Sequence, residues 1–394
     1  MTEKLYYMYP DKEEFEAMVI ESITQGKEWK VVLDKSCFYP EGGGQPADNG
    51  RLGDIAVTDV QKEGNTVYHY TKAEVKPGPV TGKIDMERRF DYMQQHTGQH
   101  LISGALWRVA GHKTVSVHMG AEYTTIEVLS PTVSSEQLTE TENMVNRIIR
   151  EDLTVRAINT NDGELNNFPL RKVPDRKGDI RLVEIGEFDC VACGGLHLQR
   201  TGLVQLVKAT AIETIRGNTR ITWKIAQRAL VDYAMKQDVM MGLKPLLAAG
   251  ENGIVEKTER IIKDLELEMK QNNLLQSRLA ELMAQDLAAK GKNAANSDTT
   301  IITAAWHHED DQLLKKVMKN LLNRDNLLVC LVNIDGERFR WSIGCSEGVA
   351  FPFNNHREKL FTISGGKGGG RHPLWQGSGS KPGQLEEFFS LFSL

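Results

Sequence analysis

The chain has 394 residues, 40% of them hydrophobic and 26% charged, with a formal net charge of -5; this length exceeds one ordinary core and predicts two or three domains. The first residues, MTEKLYYMYPDKEEFE, hold no basic stretch followed by an apolar core, and no long uncharged apolar run follows, which argues against export and membrane spanning and predicts a cytoplasmic chain. Five cysteines, an odd count, read as thiols in a reducing compartment with some free for metal, and the negative charge argues against coating nucleic acid through bulk charge while leaving room for a local basic patch.

Over 1–90, the segments WKVVLD, IAVTDVQ and TVYHYT stand between Gly, Pro and Asp breaks and predict a small, strongly bent sheet or β-barrel. Set into it is the run Phe38-Tyr39-Pro40-Glu41-Gly42-Gly43-Gly44-Gln45-Pro46. Its three consecutive glycines reach backbone conformations closed to other residues and let a ligand approach the main chain. Residues 91–223 form the next domain. Around its start, from Arg88 to Val109, the spacing turns helical, with Met93, Leu101, Ala105, Leu106 and Val109 on successive turns. A mixed segment follows, with VSVHMG, YTTIEVLS, LTVRAI, IRLVEI and GLVQLVKATAIE as strands and SSEQLTETENMVNRIIRED as a helix capped by Ser134 or Ser135.

Residues 224–290 become long and charged, with Ile262, Leu265, Met269, Asn272, Leu279 and Met283 near a heptad seam. They predict a helical spacer that either packs on its own chain or pairs with a second copy, Asn272 then helping to fix register. GKNAANSDTT, at 291–300, reads as a linker, and over 301–394 the β runs TIITAAW, LLVCLVNID and RFRWSIGCS alternate with the helical DQLLKKVMKNLLN as a small α/β domain. That domain ends in a glycine-rich basic loop, Gly365-Gly366-Lys367-Gly368-Gly369-Gly370-Arg371, suited to phosphate through backbone amides and cations. The fold class expected is α+β.

The motif His96-Thr97-Gly98-Gln99-His100 puts two imidazoles one helical turn apart, within reach of one ion, and Cys193-Gly194-Gly195-Leu196-His197 offers a thiolate and a third imidazole from a glycine-bent loop. One cysteine and three histidines favour borderline-soft zinc, one ion per chain. Four ligands suit a closed structural site, or a catalytic one in which a ligand yields to water or substrate. Cys190 reads first as a buried small apolar residue and second as a further thiolate.

The runs DKSCFYPEGGGQPADNG, RRFDYMQQHTGQHLISGAL and DCVACGGLHLQRTG resemble, in order and spacing, the editing region of alanyl-tRNA synthetases and of their stand-alone relatives, the AlaX trans-editing proteins. The stretch GGKGGGRHPLWQGSG is similar to the C-terminal domain that those synthetases share with DHH-type phosphoesterases, so the resemblance covers nearly the whole chain in the long AlaX layout. It implies a hydrolase that removes serine, and glycine as a second substrate, from tRNA specific for alanine. It also implies an editing domain over 91–223, a tRNA-binding domain over 301–394 gripping through Lys367, Gly368, Gly369, Gly370 and Arg371, and zinc on His96, His100, Cys193 and His197. A homodimer through the spacer or the C-terminal domain fits the same layout. The chain starts at the editing region, as expected of a proofreading factor and not of a synthetase, and the Asp-His-His triplet of the phosphoesterases is absent from the sequence.

By the same resemblance Ser36 falls where relatives often carry a threonine facing the amino-acid side chain, Gln45 closes the GGGQ loop, and His118 falls near a polar position of the editing pocket. Ser36 lacks the methyl group of that threonine, and Leu196 stands where the family commonly shows Thr; both departures touch selectivity more than chemistry. The expected reaction is direct attack by water on the ester. Main-chain N–H groups of the Gly42 to Gly44 loop would stabilise the oxyanion, His118 would orient water, and a hydroxyl-binding pocket would reject alanine. Two other readings predict different behaviour: a zinc hydrolase of another aminoacyl ester would need no particular tRNA, and a tRNA-binding module with structural zinc would bind without turnover.

Overall fold

The computed structural model describes residues 1–392 other than 176 and 295–297. The described chain divides into two compact units, Met1–Gly242 and Leu243–Leu394, and is a mixed α+β protein with several sheets.

In the first unit the strands Glu14–Gln25, Glu28–Leu33, Gly50–Leu52, Ile55–Glu63, Thr66–Thr71 and Gly78–Ile84 close into a six-stranded barrel. The first of them begins EFEAMV, and the alternation turns Phe15, Ala17 and Val19 to the core while Glu14 and Glu16 face water. Beyond the barrel the chain enters a helix, Met86–Ala110, started by Asp85, whose carboxylate accepts the Arg88 N–H, and ended by Gly111 in the left-handed conformation. The sequence predicts apolar residues on successive turns here, and in the structure every residue from Tyr92 to Leu106 is buried, including Gln94, Gln95, Thr97 and Ser103. The helix is enclosed on several sides. The sheet formed by Thr114–Met119, Thr124–Val128, Val207–Ile215 and Asn218–Ile225 meets one side, and the helix Ser135–Glu151 and the strand Asp189–Ala192 meet others. Ser134 is the residue that caps Ser135–Glu151, in a reciprocal box with Gln137.

In the second unit a six-stranded sheet runs in the order 292–293, 300–307, 327–335, 338–345, 374–379, 367–371. Only Thr300–His307 and Leu327–Asp335 pair in parallel, joined by the helix Asp311–Leu322. One face carries an aromatic core of Phe339, Trp341, Phe353, Trp375 and Phe388.

Three expectations are corrected. The spacer is two helices, Gln227–Leu247 and Ile254–Ala289, broken where Ala248 turns left-handed and a short turn, Glu251–Gly253, intervenes. The seam residues Ile262, Leu265, Met269, Asn272 and Leu279 are exposed, whereas Ala280 and Ala284 of the second helix are buried against Ile302, Leu313 and Val317. The segment 291–300 is not wholly linker: Lys292–Asn293 pairs with Ile301 and Thr300, while 295–297 lie outside the described residues. The glycine-rich stretch is not a loop either. Lys367–Arg371 is a strand paired along its whole length with Leu374–Gly379.

Candidate metal centre

The four donors come from two elements. His96 and His100 stand one turn apart on Met86–Ala110, and Cys193 and His197 stand on the loop after the strand Asp189–Ala192. Their ligand atoms all lie within 4.8 Å of one another, so the group can hold a metal ion. Cys193 Sγ is 3.3 Å from His96 Nε2 and 3.3 Å from His197 Nε2.

A third element fixes the tautomer of one ring. Gly42 and Gln45 close a tight turn through two main-chain bonds of 3.1 Å, with Gly43 and Gly44 at φ 61° and 83°, the pair of positive values that a type I′ turn requires. The turn aims Gln45 inward, where its Oε1 accepts from His96 Nδ1 at 2.8 Å and from Leu196 N–H at 2.9 Å. A carboxamide oxygen only accepts, so Nδ1 of His96 carries the proton and Nε2 keeps its lone pair toward Cys193. Thr97 braces His197 without fixing its tautomer: its Oγ1 accepts from Leu198 N–H at 3.0 Å and lies 3.3 Å from His197 Nδ1. Nδ1 of His100, by contrast, is buried without a partner.

The loop is held from its outer side. Arg181 Nη1 donates to Cys193 O and Gly195 O, each at 2.9 Å, and Tyr7 donates to Gly194 O at 2.9 Å. A Cβ on Gly195 would fall 2.0 Å from His96 Cε1, so only glycine lets the loop pass this close. The turn is anchored in the same way: Asp48 accepts the Tyr39 N–H at 2.6 Å and pairs with the buried Arg89 guanidinium of Met86–Ala110. Burial pushes the Asp48 carboxyl up, against the opposing pull of Arg89.

Burial also decides the charge of the donors. It holds His96 and His197 well below the ordinary imidazole range, with neighbouring imidazoles and Arg181 adding to it, and holds His100 down to about 3, with Arg171 and Arg181 adding to it. The Cys193 thiol is pushed up by burial against the pull of the Gly195 N–H and Arg181. Uncharged imidazoles with free lone pairs are the ligand form, and a cation would favour the thiolate.

The model described as tRNA synthetases class II (A) matches residues 4–88, and that described as threonyl and alanyl tRNA synthetase second additional domain matches residues 180–222. The alanyl-tRNA editing protein Aarsd1 of Mus musculus is 30% identical over 366 residues, covering 91% of this chain and 86% of that protein. This chain belongs to the alanyl-tRNA editing protein family. The alanine–tRNA ligase of Pyrococcus abyssi is 33% identical over 396 residues, 95% of this chain, and this chain spans 42% of that ligase's length. A solved C-Ala domain of Aquifex aeolicus alanyl-tRNA synthetase matches 26% of this chain and 94% of that one at 21% identity and a TM-score of 0.24, too low to fix a fold.

In this family member the other sequence-predicted residues fall as follows. Ser36 is fully buried, with its hydroxyl donating to His69 Nε2 at 2.7 Å and accepting from Phe38 N–H at 3.0 Å. The Gly42 N–H is spent on Gln45 O, whereas Gly43 and Gly44 are exposed. His118 is exposed on Thr114–Met119, beside Met119, whose side chain packs near Gly44. Cys190 stands apart from the four donors, buried with Leu165, Ile180 and Leu182, and burial pushes its thiol up to about 11. In the second unit Lys367 lines a cleft of about 440 Å³ with Lys315, Asn333, Arg340, Ser342 and Gln376; Gly368, Gly369, Gly370 and Arg371 continue its strand. Sequence reading passed over Thr97, Arg181 and Tyr7, and also the wall of a cleft beside His100, where Ser103 Oγ receives Gln99 Nε2 at 2.8 Å and Thr114 Oγ1 at 2.9 Å. No helix among the described residues is long and apolar enough to cross a membrane.

Proposed function

We propose that this chain is a trans-editing hydrolase that removes serine, and glycine as a second substrate, from tRNA specific for alanine. The observation that carries the proposal is the convergence of His96, His100, Cys193 and His197 beside an open cleft, with Gln45 presetting the first ring. The curated relatives named alanyl-tRNA editing proteins support the reading.

The residues fit zinc: three nitrogens and one sulfur within 4.8 Å of one another are donors that zinc takes, their imidazoles are uncharged, and Gly195 leaves room for the rings to converge. Bound there, zinc supplies Lewis-acid polarisation of the ester carbonyl and orientation of water or of the α-amino group. The chain's own groups do the rest. Gln45 holds His96 in the ligand tautomer, and Thr97 braces the His197 ring. The N–H groups of the exposed Gly43 and Gly44 receive the developing oxyanion. His118 orients the attacking water, and Gln99, Ser103 and Thr114 recognise the serine hydroxyl. Alanine offers no hydroxyl to this network, a mismatch of the kind that gives discrimination. The strand Lys367–Arg371 grips the body of the tRNA through Lys367 and Arg371.

The test is release of amino acid from tRNA specific for alanine charged in turn with serine, glycine and alanine. Serine release with alanine spared is the expected result. Equal release of all three, or release from free aminoacyl esters irrespective of tRNA, would favour a general ester hydrolase; binding without release would favour a tRNA-binding module with structural zinc.

A further inference from the structure

Two clefts lie along the helix Met86–Ala110 on the His100 side. The first, about 330 Å³, is lined by His100, Ser103, Thr114 and Lys172. The second, about 520 Å³, is lined by Trp107, Arg108, Glu187 and Phe188. Arg171 lines both. His100, Ser103 and Trp107 stand at i, i+3 and i+7 and therefore share one face of the helix. Seven residues at ~1.5 Å rise separate His100 from Trp107 by about 10 Å, which is about three steps of a stacked strand at ~3.4 Å per nucleotide.

Trp107 is 39% exposed, although the helix around His100 is buried on all sides. Beside it Arg108 donates to the main-chain oxygens of Phe188 and Glu187, at 3.2 Å each, and lies over the Phe188 ring at 4.9 Å. These partners are neutral, so its charge is kept. Arg171 is neutralised by a two-pronged pair with Asp189, at 2.8 and 3.1 Å. What remains is Arg108 and Lys172 against Asp175 and Glu187. Bulk charge thus does not select the ligand of this face. An exposed indole in line with a metal-ligating histidine does, because every base has a face that stacks on an aromatic ring.

We infer that this face is the track for the unpaired 3′ strand of the RNA: the terminal nucleoside enters the cleft at His100, and a base shortly before it stacks on Trp107 while Lys172 meets a phosphate. The inference rests on the deacylase reading above and adds to it a binding residue that acts on the strand and not on the ester.

The test uses the full chain and an RNA hairpin with an unpaired 3′ tail ending in CCA, against the same hairpin without the tail, with binding read by fluorescence anisotropy. The tail is expected to tighten binding at least tenfold; Trp107→Ala should lose about tenfold on the tailed hairpin only, Trp107→Phe should keep most of it, and Lys172→Ala should lose about threefold. A tail that adds nothing to wild-type affinity, or a Trp107→Ala chain that binds the tailed hairpin as wild type does, overturns the track. Serine release is measured separately: release without tail-dependent binding sinks the track alone, and tail-dependent binding without release keeps the track and sinks the hydrolysis.

Discussion

Two polar clusters are buried in the same unit, and they differ in how they close. In the barrel, His69 Nδ1 donates to Val31 O at 3.0 Å, Ser36 donates to His69 Nε2, and Phe38 N–H donates to Ser36 Oγ. Every donor there has an acceptor inside the protein. Among His96, His100, Cys193 and His197, lone pairs face one another and His100 Nδ1 has no partner. A cluster whose donors all find acceptors within the chain is structure; one whose ligand atoms converge, with Gln45 turning a ring toward the others, is suited to a cation.

The largest expected effect comes from forcing the open cluster apart. Gly195→Ala sets a Cβ 2.0 Å from His96 Cε1 and 2.8 Å from Gln45 Oε1. Metal affinity, read by chelator competition, should then fall by more than the ~10–100-fold that loss of a supporting hydrogen bond costs. Retained affinity would mean that the loop does not hold the donors as described.

The closed cluster also makes stability depend on acid, through His69 alone. Burial holds His69 at about 4, against an ordinary value of about 6.5. The unfolded chain takes up this proton first, so the stability is full above about pH 6.5 and is lost as pH falls toward about 4, roughly 3 kcal/mol at one pKa unit per ~1.4 kcal/mol. Urea midpoints at pH 7 and pH 4.5, compared with those of His69→Gln, measure it. An equal pH dependence in the variant would contradict the assignment.

Gln45→Ala sharpens the contrast from the site side. It removes the acceptor shared by His96 Nδ1 and Leu196 N–H, and metal affinity should fall ~10–100-fold with the fold intact by circular dichroism. The smallest effect on the site is expected from Ser36→Ala: about 1–3 kcal/mol of stability for each of the two groups left unsatisfied, with the serine-to-alanine preference unchanged. A changed preference would put Ser36 back against the substrate.

Much of this was legible in the sequence where period and spacing carry it. The strands at 55–63, 66–71 and 327–335 are β-branched runs between breakers, and the two x-x-x spacings brought four donors together. The strand Glu14–Gln25 went unread because the outward-facing Met18 and Ile20 are apolar and blur the alternation that Phe15, Ala17 and Val19 carry. Lys367–Arg371 read as a loop because glycine is a poor strand former; it pairs nonetheless because Leu374–Gly379 returns beside it and a Cβ at Gly368 or Gly377 would meet the Trp341 ring. The role of Gln45 lay beyond local reading, since its partner is 51 residues away. The same holds for the enclosure of Met86–Ala110, which depends on elements that come later in the chain, among them Ser135–Glu151 and Asn218–Ile225.

The most direct measurement is metal content and serine release in parallel on wild type and His100→Ala. One metal ion per wild-type chain, with both metal and serine release lost in the variant, is the predicted result. Serine release unchanged in a His100→Ala chain, or wild-type release with no metal bound, would contradict the claim that these four side chains form the centre on which deacylation depends.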